Sequence, residues 1–325
     1  MVTFAVTGGS GVVGGAVVRM LVAEGKEVRA LCRSADSQRY LETMGALPVR
    51  GDLLDPNSLH RLVAGCDTVF NVAGVNELCV RDPSQMENVN IEAIPTILEA
   101  CRGAGVRRLV HTSSAVTIGE ARGTVGSEGS PHRGYFLSQY ERTKFLGEKR
   151  LFAEAGTLEV VTVNPSSVQG PGRSTGTGKL ILDVVNGRLR YLVDSVISLV
   201  DIDDCARGHI LAAERGEPGR RYILSGATLG VREAVGLSAM ASGREIRPRF
   251  LPGSLVSGAI SLVEPLAGVF GKELPICREM VRVMRFGHAY DGSRAVAELG
   301  LEYRPVADTI RRLISWFGSE GLLAR

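Results

Sequence analysis

The segment Thr7-Gly8-Gly9-Ser10-Gly11-Val12-Val13-Gly14 joins two apolar stretches of different period. Before it, residues 2–6 are apolar and β-prone, as a parallel strand buried on both faces requires. After it, Val12, Val13, Ala16, Val17, Met20 and Leu21 recur at helical spacing, and Gly25 is a natural stop. Strand, glycine turn and helix in that order form the start of a βαβ unit. Its helix N-terminus offers free N–H groups and a positive dipole to a pyrophosphate. The glycines have separate tasks: Gly8 allows the tight turn, Gly11 lets the backbone approach the phosphates, and Gly14 lets helix and strand pack closely. The spacing is G-x-x-G-x-x-G rather than G-x-G-x-x-G.

The next strand, Val28-Arg29-Ala30-Leu31-Cys32, ends in Arg33-Ser34. A chain selective for NAD usually carries Asp or Glu there, against the ribose 2′-hydroxyl. A guanidinium and a hydroxyl suit a 2′-phosphate instead, so the expected cofactor is NADP, with Asp36 close enough to keep NAD possible. Asp52, after a third short strand, can accept from an adenine amino group or serve a turn, and Asp55-Pro56-Asn57 opens a helix.

Tyr140 and Lys144 stand four residues apart, on one face of a helix. A free tyrosine titrates near 10, too high for an efficient base at neutral pH. A neighbouring ammonium and a positive nicotinamide ring favour the phenolate and lower that value. Ser114 lies beyond the strand Arg108-Leu109-Val110-His111 on the ligand-binding edge of the sheet, with Ser113 beside it, where its hydroxyl can donate to a developing oxyanion. A dinucleotide turn with this pair points to hydride transfer at a carbon–oxygen bond.

With Asp52-Leu53, Val72-Ala73-Gly74, Asn88-Val89-Asn90, His111-Thr112-Ser113-Ser114-Ala115, Tyr140-x-x-x-Lys144 and Pro165-Ser166-Ser167-Val168, the chain resembles an extended short-chain dehydrogenase/reductase of the NAD-dependent epimerase/dehydratase superfamily. The resemblance implies an α/β fold, a doubly wound parallel Rossmann sheet with a smaller C-terminal substrate lobe. The Rossmann domain spans 1–165, with a return at about 196–225, and the lobe takes 166–195 and 226–325. It also implies Tyr140 as general acid/base, Lys144 as its partner and holder of the nicotinamide ribose, and Ser114 as the carbonyl-binding serine. Cofactor contacts fall on Gly8, Ser10, Gly11, Val12, Val13, Gly14, Arg33, Asp52, Leu53, Val72, Ala73, Gly74, Thr112, Tyr140, Lys144, Pro165 and Val168. Relatives pair two helices into a dimer bundle. Here helices at about 84–104 and 138–155 carry Ile94, Ile97, Leu98, Phe145, Leu146, Leu151 and Phe152 on more than one face, so a homodimer is expected.

Two departures matter. The usual Asn-Val-x-Gly-Thr helix start reads Asn90-Ile91-Glu92-Ala93-Ile94-Pro95, which foreshadows a different local path. Ser167 and Gln169 replace the Asn and Tyr that nucleotide-sugar enzymes tend to carry, so the segment is more similar to the dihydroflavonol 4-reductase and 3β-hydroxysteroid dehydrogenase branch. The expected reaction moves a hydride between NADP(H) and a carbonyl or secondary alcohol of a small non-nucleotide substrate. The alternatives are a nucleotide-sugar 4-epimerase/dehydratase with tightly bound NAD, and an NADP-sensing binding protein without turnover.

A net charge of +3 over 325 residues gives no argument for nucleic acid, and Arg107-Arg108 and Arg311-Arg312 read as solvated ends. The six cysteines (Cys32, Cys66, Cys79, Cys101, Cys205, Cys277) show no short ligand spacing, nor do the five histidines, so reduced thiols, no metal and a cytoplasmic enzyme are expected. With a strand expected from residue 2, no signal peptide is expected. The apolar stretch from Leu251 to Phe270 is interrupted by Pro252, Glu264 and Pro265, so it reads as a substrate-lobe helix pair, with membrane contact as the minor reading. Glu120 to Gly134 and Gly170 to Gly178 read as loops beside the active site.

Overall fold

The computed structural model describes residues 3–269 and 276–324, so Val2 of the first strand run and Phe270 of the apolar stretch lie outside the described residues. Seven strands form the central sheet: β1 (Thr3–Thr7), β2 (Glu27–Cys32), β3 (Leu47–Arg50), β4 (Thr68–Asn71), β5 (Arg108–Thr112), β6 (Glu159–Pro165) and β7 (Arg221–Leu224). Their spatial order is β7-β6-β5-β4-β1-β2-β3, with every pair parallel. The order reverses between β1 and β4, which makes that gap a topological switch point where ligands bind.

Burial on both faces explains the continuous apolar runs of the strands. One face packs Val6, Val28, Val110 and Tyr222 against Val17, Val18 and Leu21 of the Val12–Ala23 helix and Ile210 of the Ile202–Arg215 helix. The other packs Leu109 and Val160 against Leu59, Leu62, Ile94, Ile97, Leu98 and Leu151. The monomer's own core therefore takes Ile94, Ile97, Leu98 and Leu151 from the apolar set read as a dimer face. Phe145, Leu146 and Phe152 remain half-buried.

The chain leaves the large sheet after Pro165. The strand Val196–Asp201 pairs with Ser167–Gln169 and Ala227–Gly230 in a separate three-stranded sheet. The edge of β6 is already taken by β7, so the return to the large sheet is made by the Ile202–Arg215 helix and β7 rather than by the whole of 196–225. Helices Thr177–Val185, Val231–Ser242 and Val306–Ser319 share a small apolar core with Leu182, Ile310, Leu313 and Phe317 at its centre. Helices Gly253–Val269 and Arg278–Phe286 pack together. Among the described residues no helix is long and apolar enough to cross a membrane.

Three sequence expectations change. Cys79 and Cys277, 198 residues apart, form a disulfide with Cα atoms at 5.8 Å, so only Cys32, Cys66, Cys101 and Cys205 remain as free, buried thiols. Sequence spacing carries no trace of so distant a pair. Arg108 is buried, paired with Glu159 at 2.8 Å and donating to the Ala213 carbonyl at 2.8 Å. Arg312 holds both oxygens of the fully buried Asp201 carboxylate at 2.9 Å. These guanidiniums close strand and helix ends that a charge count reads as solvated.

Candidate active site

Parallel strands bring their carboxyl ends to one edge of the sheet, and the segments read as functional follow those ends. The glycine turn follows β1, Arg33 follows β2, Gly51-Asp52-Leu53 follows β3, Val72-Ala73-Gly74 follows β4, and Ser113-Ser114 follows β5.

The glycine turn shows which residues the fold itself demands. Gly8 has φ +68°, and a Cβ there would lie 2.8 Å from the Ala73 amide nitrogen. A Cβ on Gly14 would lie 2.2 Å from the Gly8 carbonyl oxygen. Gly11 is different: a Cβ would meet only the Gly8 oxygen, at 3.2 Å, and its φ is −83°. The fold thus demands glycine less strictly at Gly11 than at Gly8 or Gly14, so its use there fits close approach by a ligand. Gly11 caps the Val12–Ala23 helix without a side-chain hydrogen bond, so the first-turn N–H groups face outward as a phosphate requires. Ser10 is exposed at this turn, with Val12 and Val13 half-buried at the helix start.

A chain of buried hydrogen bonds fixes the neighbouring β4 end. The Ala73 N–H donates to Thr7 Oγ1 (3.1 Å), Thr7 Oγ1 donates to Asn71 Oδ1 (2.7 Å), and Asn71 Nδ2 donates to His111 Nδ1 (3.0 Å). Burial drives the His111 pKa well below its ordinary value, so the ring is neutral and can accept at Nδ1.

Arg33 and Asp52 meet in an open cleft of about 450 Å³ that also takes Arg50, Gly51, Asp55, Ser58 and Arg61. Three arginines from three different segments thus face one space. Arg61 is steadied by the Arg50 carbonyl (3.3 Å) and Ser58 Oγ (3.2 Å). The other acids and hydroxyls nearby have local tasks. Asp52 accepts from the Leu54 N–H (2.9 Å), Asp55 caps the Pro56–Val63 helix, Ser34 caps Ala35–Thr43, and Asp36 pairs with Arg39. Leu53 is buried in the core. Pro165 ends β6, and Val168 is buried in the small sheet.

The Gln139–Glu154 helix carries Tyr140 and Lys144, with Ser138 as its N-cap. Gly147 lets this helix approach the neighbouring backbone, since a Cβ there would lie 2.0 Å from the Asn90 carbonyl oxygen. Ser114 is the side chain placed to act on the Tyr140 phenol by hydrogen bonding. Burial pushes the Tyr140 pKa up, while the Ser114 hydrogen bond and the charge of Arg173 pull it down. Ser113 Oγ is buried without a partner, so it is Ser114 that the fold turns to the phenol. Lys144 is buried, and its Nζ donates to the Thr112 carbonyl at 2.7 Å. Burial depresses its pKa from 10.5 to about 8, against a smaller upward pull from Glu148. The structure therefore turns Lys144 toward Thr112, while Ser114 and Arg173 act on the phenol.

Several supports escaped the sequence reading. Asn90 lies in a π-helical turn, Asn88–Glu92, just before the Pro95 helix. Its amide grips both backbone groups of Val75 at 3.0 Å and donates to Thr143 Oγ1 (3.1 Å). Asn164, fully buried in β6, donates to the Ser114 carbonyl (3.2 Å), Thr117 Oγ1 (3.0 Å) and Glu148 (2.6 Å). Thr112 Oγ1 donates to His209 Nε2 (2.8 Å), and His209 Nδ1 donates to the Cys205 carbonyl (2.7 Å). Burial lowers the His209 pKa to about 4, which keeps the ring neutral. An asparagine inside an otherwise apolar strand was the available signal for Asn164.

The model of the NAD dependent epimerase/dehydratase family matches residues 4–225. A putative dihydroflavonol 4-reductase of Synechocystis is 30% identical over 332 residues, covering 98% of this chain and 95% of that protein. The 2-alkyl-3-oxoalkanoate reductase of Stenotrophomonas maltophilia is 31% identical over 326 residues, covering 95% of this chain and 97% of that one. The crystal structure of gox2253 superposes with a TM-score of 0.86 at 31% identity, covering 99% of each chain.

Proposed function

The chain belongs to the NAD-dependent epimerase/dehydratase family, as an oxidoreductase of carbon–oxygen bonds, and from that premise we propose that it is an NADP(H)-dependent carbonyl reductase/alcohol dehydrogenase. The substrate class is a small non-nucleotide ketone or secondary alcohol, and 3-oxoalkanoates are the first candidates by likeness to the reductase of Stenotrophomonas maltophilia. The observation that carries this reading is the pairing of Tyr140 with Ser114 at the carboxyl edge of β5, with Lys144 anchored on Thr112 beside them.

The glycine turn and the first turn of the Val12–Ala23 helix would hold the pyrophosphate, and Lys144 the nicotinamide ribose. Arg33, Arg50 and Arg61 would hold a 2′-phosphate. A nicotinamide held there would supply or accept the hydride at the substrate carbon. Ser114 donates a hydrogen bond to the substrate oxygen and stabilises its developing negative charge. Tyr140 delivers its phenolic proton to that oxygen in reduction and takes it back in oxidation. Burial alone would make the phenol a poor base. The Ser114 hydrogen bond and the Arg173 charge oppose that effect.

Tyr140→Phe removes the proton carrier and leaves the ring to pack. Turnover should fall by about 10²–10⁴-fold with NADPH affinity little changed. Wild-type turnover in that variant overturns the assignment. Interconversion of a nucleotide-sugar without net cofactor use would put an epimerase in its place.

A further inference from the structure

Arg173 lies on the loop that follows the small strand Ser167–Gln169, with its N–H bound to the Gly170 carbonyl at 3.1 Å. Its Nε is buried and has no hydrogen-bond partner, and among the described residues no carboxylate is paired with it. The Tyr140 phenol is the group within its electrostatic reach. Arg133, by contrast, lies between the buried carboxylates of Glu120 and Glu141. A largely buried guanidinium without a counter-charge is costly, and proteins usually neutralise one.

The loop is shaped around this side chain. A Cβ on Gly178 would lie 2.3 Å from the Arg173 carbonyl oxygen and 3.0 Å from its Cγ. Gly176, at φ +54°, leaves Arg173 Nη2 room, since a Cβ there would stand 3.1 Å away. Two glycines thus clear the space around a guanidinium whose charge acts on the Tyr140 phenol.

We propose that Arg173 is a specificity-determining residue that receives a substrate carboxylate borne close to the carbonyl or hydroxyl handled by Tyr140. The ligand class is a 3-oxo or 3-hydroxy carboxylic acid. This inference rests on the oxidoreductase reading of the same site. A planar guanidinium takes a carboxylate through two parallel N–H···O bonds, which supplies orientation as well as affinity. Neutralising the guanidinium in this way also meets its burial cost only when the acid is bound, so neutral analogues forfeit that gain.

The test compares a 2-alkyl-3-hydroxyalkanoate with its methyl ester, each oxidised with NADP⁺, in wild type, Arg173→Lys and Arg173→Met. The hydroxy acids are used because they do not decarboxylate as the oxo acids do. Wild type should favour the acid by about one to two decades in kcat/KM, chiefly through KM. Arg173→Met should bring the acid-to-ester ratio near one, and Arg173→Lys should keep an intermediate ratio. A wild-type ratio near one, or a ratio that survives in Arg173→Met, overturns the proposal while leaving the oxidoreductase reading intact. If Arg173→Met fails to fold, the wild-type and Arg173→Lys ratios decide alone. Full turnover in Tyr140→Phe would instead sink the underlying reading.

Discussion

Lys144→Met should abolish turnover yet make the cofactor-free protein more stable near neutral pH. The Lys144 ammonium is buried, and its pKa falls from 10.5 to about 8. That difference corresponds to a cost of about 3 kcal/mol to the folded state wherever the lysine is charged in both states, which is below about pH 8. Methionine is similar in length and needs no hydration, but it abandons the 2.7 Å hydrogen bond to the Thr112 carbonyl. That loss costs about 1–2 kcal/mol. The net expectation is a gain of about 1–2 kcal/mol near pH 7. Its pH dependence is the sharper test. Between 8 and 10.5 the unfolded lysine holds its proton while the folded one has released it, so wild-type stability climbs with pH across that window. The advantage of the variant should therefore shrink as pH rises, and reverse once only the lost hydrogen bond remains. Urea unfolding of both cofactor-free proteins, at neutral pH and at about pH 10, reads the difference directly. A variant that is less stable at neutral pH, or a difference that does not change with pH, refutes the argument. It would mean that the ammonium is well solvated or compensated in the folded state.

If the proposed 2′-phosphate site is right, Arg33→Ala and Arg61→Ala should each lower the NADP(H)-over-NAD(H) affinity ratio by about one to two decades, because each would lose a charge-assisted contact. Cofactor titrations check this, and equal wild-type affinity for both cofactors refutes it. Thiol titration in denaturant without reductant should count four cysteines, matching Cys32, Cys66, Cys101 and Cys205, and six after reduction. Six at the outset would refute the Cys79–Cys277 bond. We also propose a homodimer through the Gln139–Glu154 and Ala93–Gly103 helices, on the half-buried Phe145, Leu146 and Phe152. Light scattering at micromolar concentration should give twice the mass of the 34.7 kDa chain, and a monomer would refute the pairing.

What the sequence made legible was local. Strand, turn and helix around Gly8 to Gly14 lie within one βαβ start, and Tyr140 and Lys144 lie within one helical turn of each other. The Ser113-Ser114 pair was reachable because residues that follow a parallel strand fall on the ligand edge, while the choice of Ser114 came with the family resemblance. Contacts between distant segments were not legible. Arg50 and Arg61 join Arg33 only because β3 pairs with β2 and the Pro56–Val63 helix packs beside them. The Cys79–Cys277 bond, the buried Arg108 and the Arg312–Asp201 pair depend in the same way on tertiary neighbours. The irregular start at Asn90 was anticipated as a changed path, but its π-helical form and its grip on Val75 were not.

The supports of the site divide by origin. Asn71, Asn90, Asn164, His111 and His209 each spend a buried polar side chain on fixing backbone or a neighbouring side chain within the Rossmann sheet and its helices. A buried polar group left unsatisfied costs about 1–3 kcal/mol, so each such network locks one arrangement and discourages any other. That rigidity is what fixes Ser114 and Lys144 relative to the phosphate turn. Arg173 is held otherwise, by its own loop, two glycines and no counter-ion among the described residues. On the proposed mechanism the proton-transfer residues thus rest on the sheet and its helices, and recognition rests on a loop whose Arg173 charge also acts on the Tyr140 phenol. Substitutions at Gly176 or Gly178 that displace Arg173 should therefore change substrate choice and, through the lost charge, raise the pH at which Tyr140 gives up its proton; an unchanged acid-to-ester ratio and pH profile in such variants would refute the link.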